Sequence, residues 1–302
     1  MKQLQCIYDD IKSNNEIAII EAYGNNAKRY TVLLTTFFLS GVLIIVFVHL
    51  WPILFHINLP INQSRPYRLY IMTEYFVDQE KYFYLFLLHT IAVLGIGIIA
   101  MLSTGIMLIA YLQHACGMFK IASYRIEHVV QIHTLQDIII LPNENVVYKG
   151  IIRAIDIHRK AMMFSKYLIE QFEISFMFLI VFGVITLSLN IFRIFQIITV
   201  NYDIEEFFMA FVIVLIAILY MFLSNYIGQE IIDHNNHIFH TAYNVRWYMT
   251  PLSVQKLILL ILQRGNKPFG LNVGGLFIAS LHCFATLANA SISYFTVMYS
   301  VR

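Results

Sequence analysis

Charged side chains are scarce in this chain. Asp, Glu, Lys and Arg together make up only 13% of its 302 residues, whereas hydrophobic residues make up 59%. A soluble globular domain of ordinary composition carries about 25% charged residues. This shortage of charge excludes an ordinary soluble enzyme or binding domain. It indicates an integral membrane protein built from long apolar helices.

Cysteine is also rare, and sequence motifs for catalysis are missing. On the topology predicted below, none of the three cysteines, Cys6, Cys116 and Cys283, lies in an outer loop, which excludes a disulfide framework. The sequence contains no P-loop, GxSxG or CxxC motif. We therefore expect no enzymatic activity, no cofactor, no metal site and no nucleic-acid partner.

Uncharged runs, in contrast, are long and frequent. A helix needs about 20 predominantly apolar residues to cross a bilayer, and five runs meet this length. We predict spans at about 31–55, 83–112, 173–198, 207–228 and 272–298. A backbone in lipid must satisfy its own hydrogen bonds, so these spans are helices. The expected fold class is an all-α polytopic membrane protein that forms a single membrane domain over residues 1–302.

The basic residues are distributed asymmetrically between the predicted loops. Of the 20 Lys and Arg residues, fifteen lie in 1–29, 113–172 and 230–267, and five lie elsewhere. Because basic residues concentrate on the cytoplasmic side, we predict a cytoplasmic N-terminus and, after five crossings, an extracellular C-terminus. The segments at about 113–172 and 229–267 are then cytoplasmic. Asn62 begins a glycosylation sequon in a predicted outer loop.

One group of polar residues has metal-ligand chemistry. Asp233, His234, His237 and His240 follow one another at helical spacing, and a zinc site needs three or four such ligands. No HExxH motif or cysteine accompanies them. We therefore favour a structural role over a metal site: these histidines form hydrogen bonds across a helix interface.

Two other histidines lie inside predicted spans. His49 and His89 both fall near the outer end of a span. An ionisable residue in a membrane helix is a functional candidate. Either histidine could line a binding cavity or simply reach water at the membrane interface.

Six short stretches, taken in order and with their spacing, resemble the insect odorant receptor family, most of all receptors of ants, bees and wasps. They are Asp78–Phe83, His114–Gly117, Ser123–Arg125, His158–Ala161, Gly228–Gln229, and the block from Trp247–Tyr248 to Ser293–Phe295. The family has seven spans, a cytoplasmic N-terminus and an external C-terminus. The resemblance begins before the family's third span, so we expect a receptor that lacks the first two spans.

The resemblance implies an odorant-gated, non-selective cation channel in the plasma membrane of olfactory neuron dendrites. Family members assemble as tetramers with an odorant receptor co-receptor, through an anchor formed by cytoplasmic helix ends. The last helix lines the pore, and the matching positions of the hydrophobic constriction are Val297 and Val301. Two alternatives stay open: that these valines only face lipid, and that the amphipathic helix at 252–263 lies on the membrane surface.

The resemblance also places an odorant pocket in the outer half of the membrane. Small volatile or cuticular hydrophobic odorants bind mainly through apolar contacts. The pocket candidates are His49, Tyr84, Leu88, His89, Phe208 and Phe211. One alternative function is a small-solute transporter, although it would require inverted repeats and broken helices that the sequence does not show. Another is a truncated receptor without function.

Overall fold

Helices make up almost all of the described structure. The computed structural model describes residues 13–56, 82–136, 144–200 and 204–301. The helices are α1 (Asn14–His56), α2 (Phe83–Gln136), α3 (Glu144–Thr199), α4 (Ile204–Asn244), α5 (Leu252–Gly265) and α6 (Leu281–Ser300). A 3₁₀ turn, Trp247–Met249, precedes α5, and β1 (Asn272–Val273) pairs antiparallel with β2 (Phe277–Ile278) before α6. The predicted all-α class is confirmed.

The first four helices are much longer than a membrane crossing. Among the described residues, four stretches are long and apolar enough to span a bilayer: Asn14–Ile44, Leu85–Ile132, Glu144–Thr199 and Glu206–Asn244. The helices α1 to α4 contain between 41 and 56 residues each. At 1.5 Å per residue they measure about 60–85 Å, roughly twice the hydrocarbon thickness. Each of the first four predicted spans therefore continues as helix well beyond one of its two predicted bounds.

The predicted cytoplasmic segments largely consist of these continuations. The stretch from 113 to 136 belongs to α2, 144–172 belongs to α3, and 229–244 belongs to α4. Ion pairs at helical spacing support them, as between Lys160 and Asp156 at 2.8 Å. A separate helix begins only after Pro251, whose ring fixes the backbone and leaves no donor for a preceding turn.

The last span begins later than the sequence suggested. Residues 272–278 form the β1–β2 hairpin, and α6 starts at Leu281 rather than at 272. The reason is the Gly274–Gly275 pair, whose φ angles of +64° and +69° reverse the chain. Glycine adopts this left-handed region without the steric cost that other residues incur. At 20 residues, α6 is long enough for one crossing, but it is not among the four described stretches that are also apolar enough.

Contacts divide the chain into two compact units. Unit one comprises the described residues of Met1–Arg29, Leu108–Val181 and Phe222–Thr286. Its interior excludes solvent completely at many apolar positions, including Ala115, Phe119, Ile151, Ile231 and Ile258, all 0% exposed. Burial of this kind is the main source of stability for a packed helical domain. Unit one thus has a true hydrophobic core, which suits the predicted role as an anchor.

A buried ion pair lies inside unit one. The Arg125 guanidinium donates to both carboxylate oxygens of Glu16, at 2.6 and 3.2 Å, and each side chain is 9% exposed. A third hydrogen bond runs from Arg125 to the carbonyl oxygen of Arg153 at 3.3 Å. The start of α1 is therefore joined to α2 and α3 by charge-assisted hydrogen bonds, the strongest kind available to side chains.

Unit two exposes many large apolar side chains. It comprises the described residues of Tyr30–Met107, Phe182–Met221 and Leu287–Arg302. Large apolar side chains on it face outward, as for Ile96 and Phe182, which are 70% and 61% exposed. Such a surface is unfavourable in water and ordinary in lipid.

Candidate functional site

One face of α6 is fixed against α3 within unit two. Ser291 on α6 is fully buried, and the Ser188 hydroxyl lies 3.0 Å from its carbonyl oxygen. Further along, the Phe195 ring makes edge contacts with Phe295 and Tyr299, at centroid distances of 6.0 and 4.9 Å. A hydroxyl donor and an aromatic cluster thus set which side of α6 faces the protein.

The opposite side of α6 carries an exposed polar stripe. Its members are Asn289, Ser293, Thr296 and Ser300, all exposed. Their spacing of four, three and four residues keeps them within about 60° of one another on the helix. The centre of the stripe lies roughly opposite Ser291. This stripe was not predicted, although its helical spacing can be read from the sequence.

The hydroxyls of the stripe are satisfied by their own helix. Ser293 donates to the carbonyl of Asn289 at 3.0 Å, Thr296 to that of Ser293 at 2.7 Å, and Ser300 to that of Val297 at 2.9 Å. Each hydroxyl proton is therefore donated to a backbone carbonyl of α6, and each hydroxyl oxygen directs its lone pairs outward. The stripe offers neutral acceptors to whatever lies beside it.

The two predicted constriction valines are both exposed, but they lie differently. Val297 is 57% exposed and follows Ser293 by four residues, so it lies about 40° from that member of the stripe. Val301 is 83% exposed and lies about 40° further round. Val297 therefore borders the polar stripe more closely than Val301 does. The gate role of both residues stays a prediction.

The predicted odorant-pocket residues that the structure describes all belong to unit two. Leu88 and His89 are exposed on α2, and Phe208 and Phe211 are 45% and 43% exposed on α4. Phe211 stacks on Phe207 at a centroid distance of 6.1 Å. The side chains of His49 and Tyr84, and residue Asn62, lie outside the described residues. The pocket stays a prediction.

The first turn of α6 is capped by side chains of α4. The backbone N–H of Ser280 donates to Asn225 Oδ1 at 3.2 Å, and that of Leu281 donates to Gln229 Oε1 at 3.4 Å. The Ser280 hydroxyl accepts from the N–H of Cys283 at 3.2 Å. These donors have no partner inside the helix, so the position of α6 depends on α4. We call this contact the α4–α6 joint.

A close backbone approach completes the joint. A Cβ atom placed on Gly228 would lie 2.5 Å from Cβ of Ala279 and 2.8 Å from its carbonyl carbon, too close for any real side chain. The Gly228–Gln229 pair, which carries part of the family resemblance, therefore has a physical reason. Glycine admits the chain that precedes α6, and Gln229 caps the helix. The hairpin nearby is also held, because Gly274 N–H donates to Glu173 at 2.9 Å.

The histidine-rich stretch of α4 does not converge on one point. His234 Nδ1 donates to the carbonyl of Glu230 at 2.7 Å, which leaves Nε2 to accept from the Tyr23 hydroxyl at 2.6 Å. Asp233 accepts from Gln229 at 2.9 Å. Burial raises the pKa of Tyr23 to about 12, which keeps its hydroxyl a donor. Among the described residues, no group of three His, Cys, Asp or Glu side chains is placed to hold a metal ion.

His158 of unit one entered the sequence-based prediction only as part of the His158–Ala161 stretch that resembles the family. His158 is 5% exposed, and its Nε2–H donates to Asn235 Oδ1 at 3.0 Å. The rings of Phe119 and Phe239 each lie 5.8 Å from it. Burial lowers the pKa of His158, so it is a neutral core residue.

The chain matches a known protein family over most of its length. A family described as 7tm Odorant receptor matches residues 1–292. The chain belongs to the odorant receptor family. Over 97 residues this odorant receptor is 30% identical to Odorant receptor 10 of Aedes albopictus, a match that covers 30% of this chain and 26% of that protein. Over 81 residues it is 30% identical to Odorant receptor Or2 of Anopheles gambiae, covering 27% and 21%. The matched segments span about a quarter of the length of these curated relatives.

Solved structures show the same fold. The insect olfactory receptor OR5 from Machilis hrabei, in complex with eugenol, superposes with a TM-score of 0.74 at 15% identity. The match covers 95% of this chain and 69% of that chain. The same receptor without eugenol gives a TM-score of 0.70 at 14% identity. This odorant receptor is therefore a multi-pass helical membrane protein with the insect olfactory receptor fold.

Proposed function

We propose that this odorant receptor is a subunit of an odorant-gated, non-selective cation channel that assembles with a co-receptor. The observation that carries the channel proposal is the polar stripe on α6, opposite the face packed on α3. Polar groups directed into lipid are costly, whereas a water-filled conduit hydrates them. Because α6 packs on α3 with one face and carries the polar stripe on the other, we assign α6 to the wall of the pore.

The chemistry of the stripe supports weak selectivity among cations. Asn289, Ser293, Thr296 and Ser300 offer hydroxyl and amide oxygens and no charged group. Strong selectivity arises from rings of charge or from closely packed carbonyl oxygens. Neutral oxygens that border a wide aqueous path attract cations without removing their hydration shell. The stripe therefore supports a non-selective pathway.

Val297 is the better supported gate residue of the two valines. It lies at the border of the stripe, so symmetry-related copies in a tetramer would bring an apolar ring next to the polar wall. Such a ring closes a pore by excluding water. Val301, further round the helix, is retained as the second candidate.

The ligand and partner proposals rest on separate surfaces. In unit two, exposed Leu88, His89, Phe208 and Phe211, with His49 and Tyr84, are proposed to contact small volatile or cuticular odorants. In unit one, α5 buries Ile258 but leaves Leu259 and Leu260 51% and 59% exposed. We assign that exposed face to contact with neighbouring subunits, on the cytoplasmic side of the plasma membrane.

The transporter alternative receives no support from the helices. Transporters of this size place their substrate at breaks in mid-membrane helices. Each of α1 to α4 runs without a break through its described apolar stretch. A channel needs no such break, so the continuous helices favour it.

The channel proposal is tested by recording currents from oocytes that express this chain together with a co-receptor, against a panel of odorants. Odorant-dependent cation currents are expected. If an extended form that carries two further spans conducts while this chain is silent, the chain is a non-functional fragment. Silence from both forms, despite surface expression, would contradict the proposal.

The gate is tested with a matched pair of substitutions. Val297→Ser is expected to raise the leak current or alter the ion permeability ratios, because the apolar ring becomes hydrated. Val181→Ser, on the exposed surface of α3, should leave both unchanged. Identical currents from the two variants would refute the assignment of Val297.

A further inference from the structure

Unit one contains a cavity that the channel proposal does not use. Its volume is about 550 Å³, and it lies between α2 and the end of α4 with the residues that follow. This volume is within the range of small-molecule sites. The predicted odorant and pore residues that the structure describes belong to unit two, so the cavity is a different site.

The lining is unusually polar for this protein. Lys120, Glu127 and Arg246 supply three fully charged groups, and His237, Gln131 and Asn244 add further polar groups. Only 13% of the whole chain is charged. A concentration of charge around one concave space, in a chain so poor in charge, is more than a solvated surface requires.

The charged groups of the cavity lining do not balance. Lys120 and Arg246 are positive and Glu127 is negative, so the lining carries one excess positive charge. In the described part of the chain, neither Lys120 nor Arg246 takes part in an ion pair. Glu127 accepts a hydrogen bond from the neutral amide of Gln131 at 3.1 Å. An anion would neutralise the excess positive charge.

The tautomer of His237 follows from its neighbours. The Ser123 hydroxyl donates to the Phe119 carbonyl at 3.3 Å, and the Thr241 hydroxyl donates to the His237 carbonyl at 2.9 Å. Both hydroxyl oxygens lie 3.2 Å from His237 Nδ1 and can then only accept, so Nδ1 carries the proton. Nε2 has no polar partner among the described residues.

The pKa of His237 depends on burial and on the charged groups around the cavity. Burial lowers the pKa of His237, and Lys120, His234 and His240 lower it further, whereas Glu127 acts in the opposite direction. An anion bound in the cavity would reverse this effect, because it favours the protonated ring. Nε2–H would then become an additional donor to the anion.

We propose that this cavity binds a soluble phosphate ester that also carries hydroxyl or amino groups, the chemistry of a nucleoside polyphosphate. Lys120, Arg246 and His237 contact the phosphates. Glu127, Gln131 and Asn244 contact the hydroxyl or amino groups, which explains a carboxylate in an otherwise positive site. Lys120 lies eight residues beyond the predicted span end at 112, about 12 Å into the cytoplasm, which favours a soluble ligand over a lipid headgroup.

The proposal is tested by thermal unfolding of the purified full-length chain in detergent, with ATP, inorganic triphosphate and adenosine as probes. ATP should raise the unfolding midpoint saturably. Triphosphate should raise it less, and adenosine should have no effect. A phosphoinositide in mixed micelles forms a separate arm: a larger rise with it than with ATP would overturn the choice of a soluble ligand.

The residues are tested by substitution. Lys120→Gln and Arg246→Gln should each weaken ATP binding by about tenfold or more, since each removes a charge-assisted hydrogen bond. Lys256→Gln, which removes an exposed lysine of α5 outside the cavity lining, should bind like the original chain. Equilibrium dialysis with labelled ATP provides a second measurement if Lys120→Gln itself lowers the midpoint. No saturable effect of ATP, or equal binding by all three variants, would overturn the proposal. None of these readouts depends on channel activity.

Discussion

The buried ion pair of unit one leads to a quantitative prediction. Replacing Glu16 with Ala removes the carboxylate that accepts two hydrogen bonds from the Arg125 guanidinium, and both side chains of this pair are 9% exposed. Removing one member of a buried pair costs about 3–5 kcal/mol, because the other charge stays desolvated. We therefore expect Glu16→Ala to lower the free energy of unfolding by about that amount.

A matched control comes from an exposed pair. Lys166 and Glu170 lie 3.5 Å apart at helical spacing, with their side chains 74% and 52% exposed. Lys166→Ala should cost only about 0.3–0.5 kcal/mol. The double variant Glu16→Ala with Arg125→Met should recover much of the loss, since the buried guanidinium is removed together with its carboxylate.

The assay is equilibrium unfolding of the purified chain in mixed detergent micelles, followed by circular dichroism. The three variants are compared with the original chain under identical conditions. If Glu16→Ala proves no more costly than Lys166→Ala, the reasoning from burial is wrong and the pair contributes no more than a surface contact.

Three further predictions concern packing and protonation. Gly228→Ala should destabilise by about 1–3 kcal/mol, because its Cβ collides with Ala279; Gly105→Ala, whose Cβ meets nothing within 4 Å, should be neutral or stabilising in the same unfolding assay. The Ser188 hydroxyl proton is shared between the carbonyl oxygens of Val184 and Ser291, at 2.7 and 3.0 Å, so Ser188→Ala should cost about 1 kcal/mol, and an unchanged unfolding curve would contradict this. The lowered pKa of His158 means that the unfolded chain takes up the proton first as the pH falls. The free energy of unfolding should therefore decrease as the pH drops through about 6.5, and His158→Gln should flatten that slope.

The sequence was sufficient for the helices and the family, because uncharged runs and charge asymmetry are direct consequences of lipid and of membrane insertion. It was less informative about where helices end. The polar stretch 229–244 continues α4, since nothing in it breaks a helix, and the next α-helix begins only after Pro251. The Gly274–Gly275 pair is typical of a turn, but it lies in an uncharged run and was therefore included in the predicted span 272–298.

Contacts between residues that are far apart along the chain could not be predicted from the sequence. The partner of Glu16 is Arg125, and the caps of α6 come from Asn225 and Gln229 on α4. No local pattern announces such pairs, since they arise only when helices pack. Even His237, which looked like a metal ligand, owes its orientation to Ser123 on another helix.

The α4–α6 joint also constrains the order in which the chain is made. Its hydrogen bonds connect residues 55 and 52 positions apart, so α4 leaves the ribosome well before the segment that it caps. Until α6 is synthesised, Asn225 and Gln229 must keep other partners, water or lipid headgroups among them. The position of α6 is thus fixed only after residues 280 and 281 have been synthesised. The α4–α6 joint therefore cannot form before translation of the β1–β2 hairpin that leads into α6.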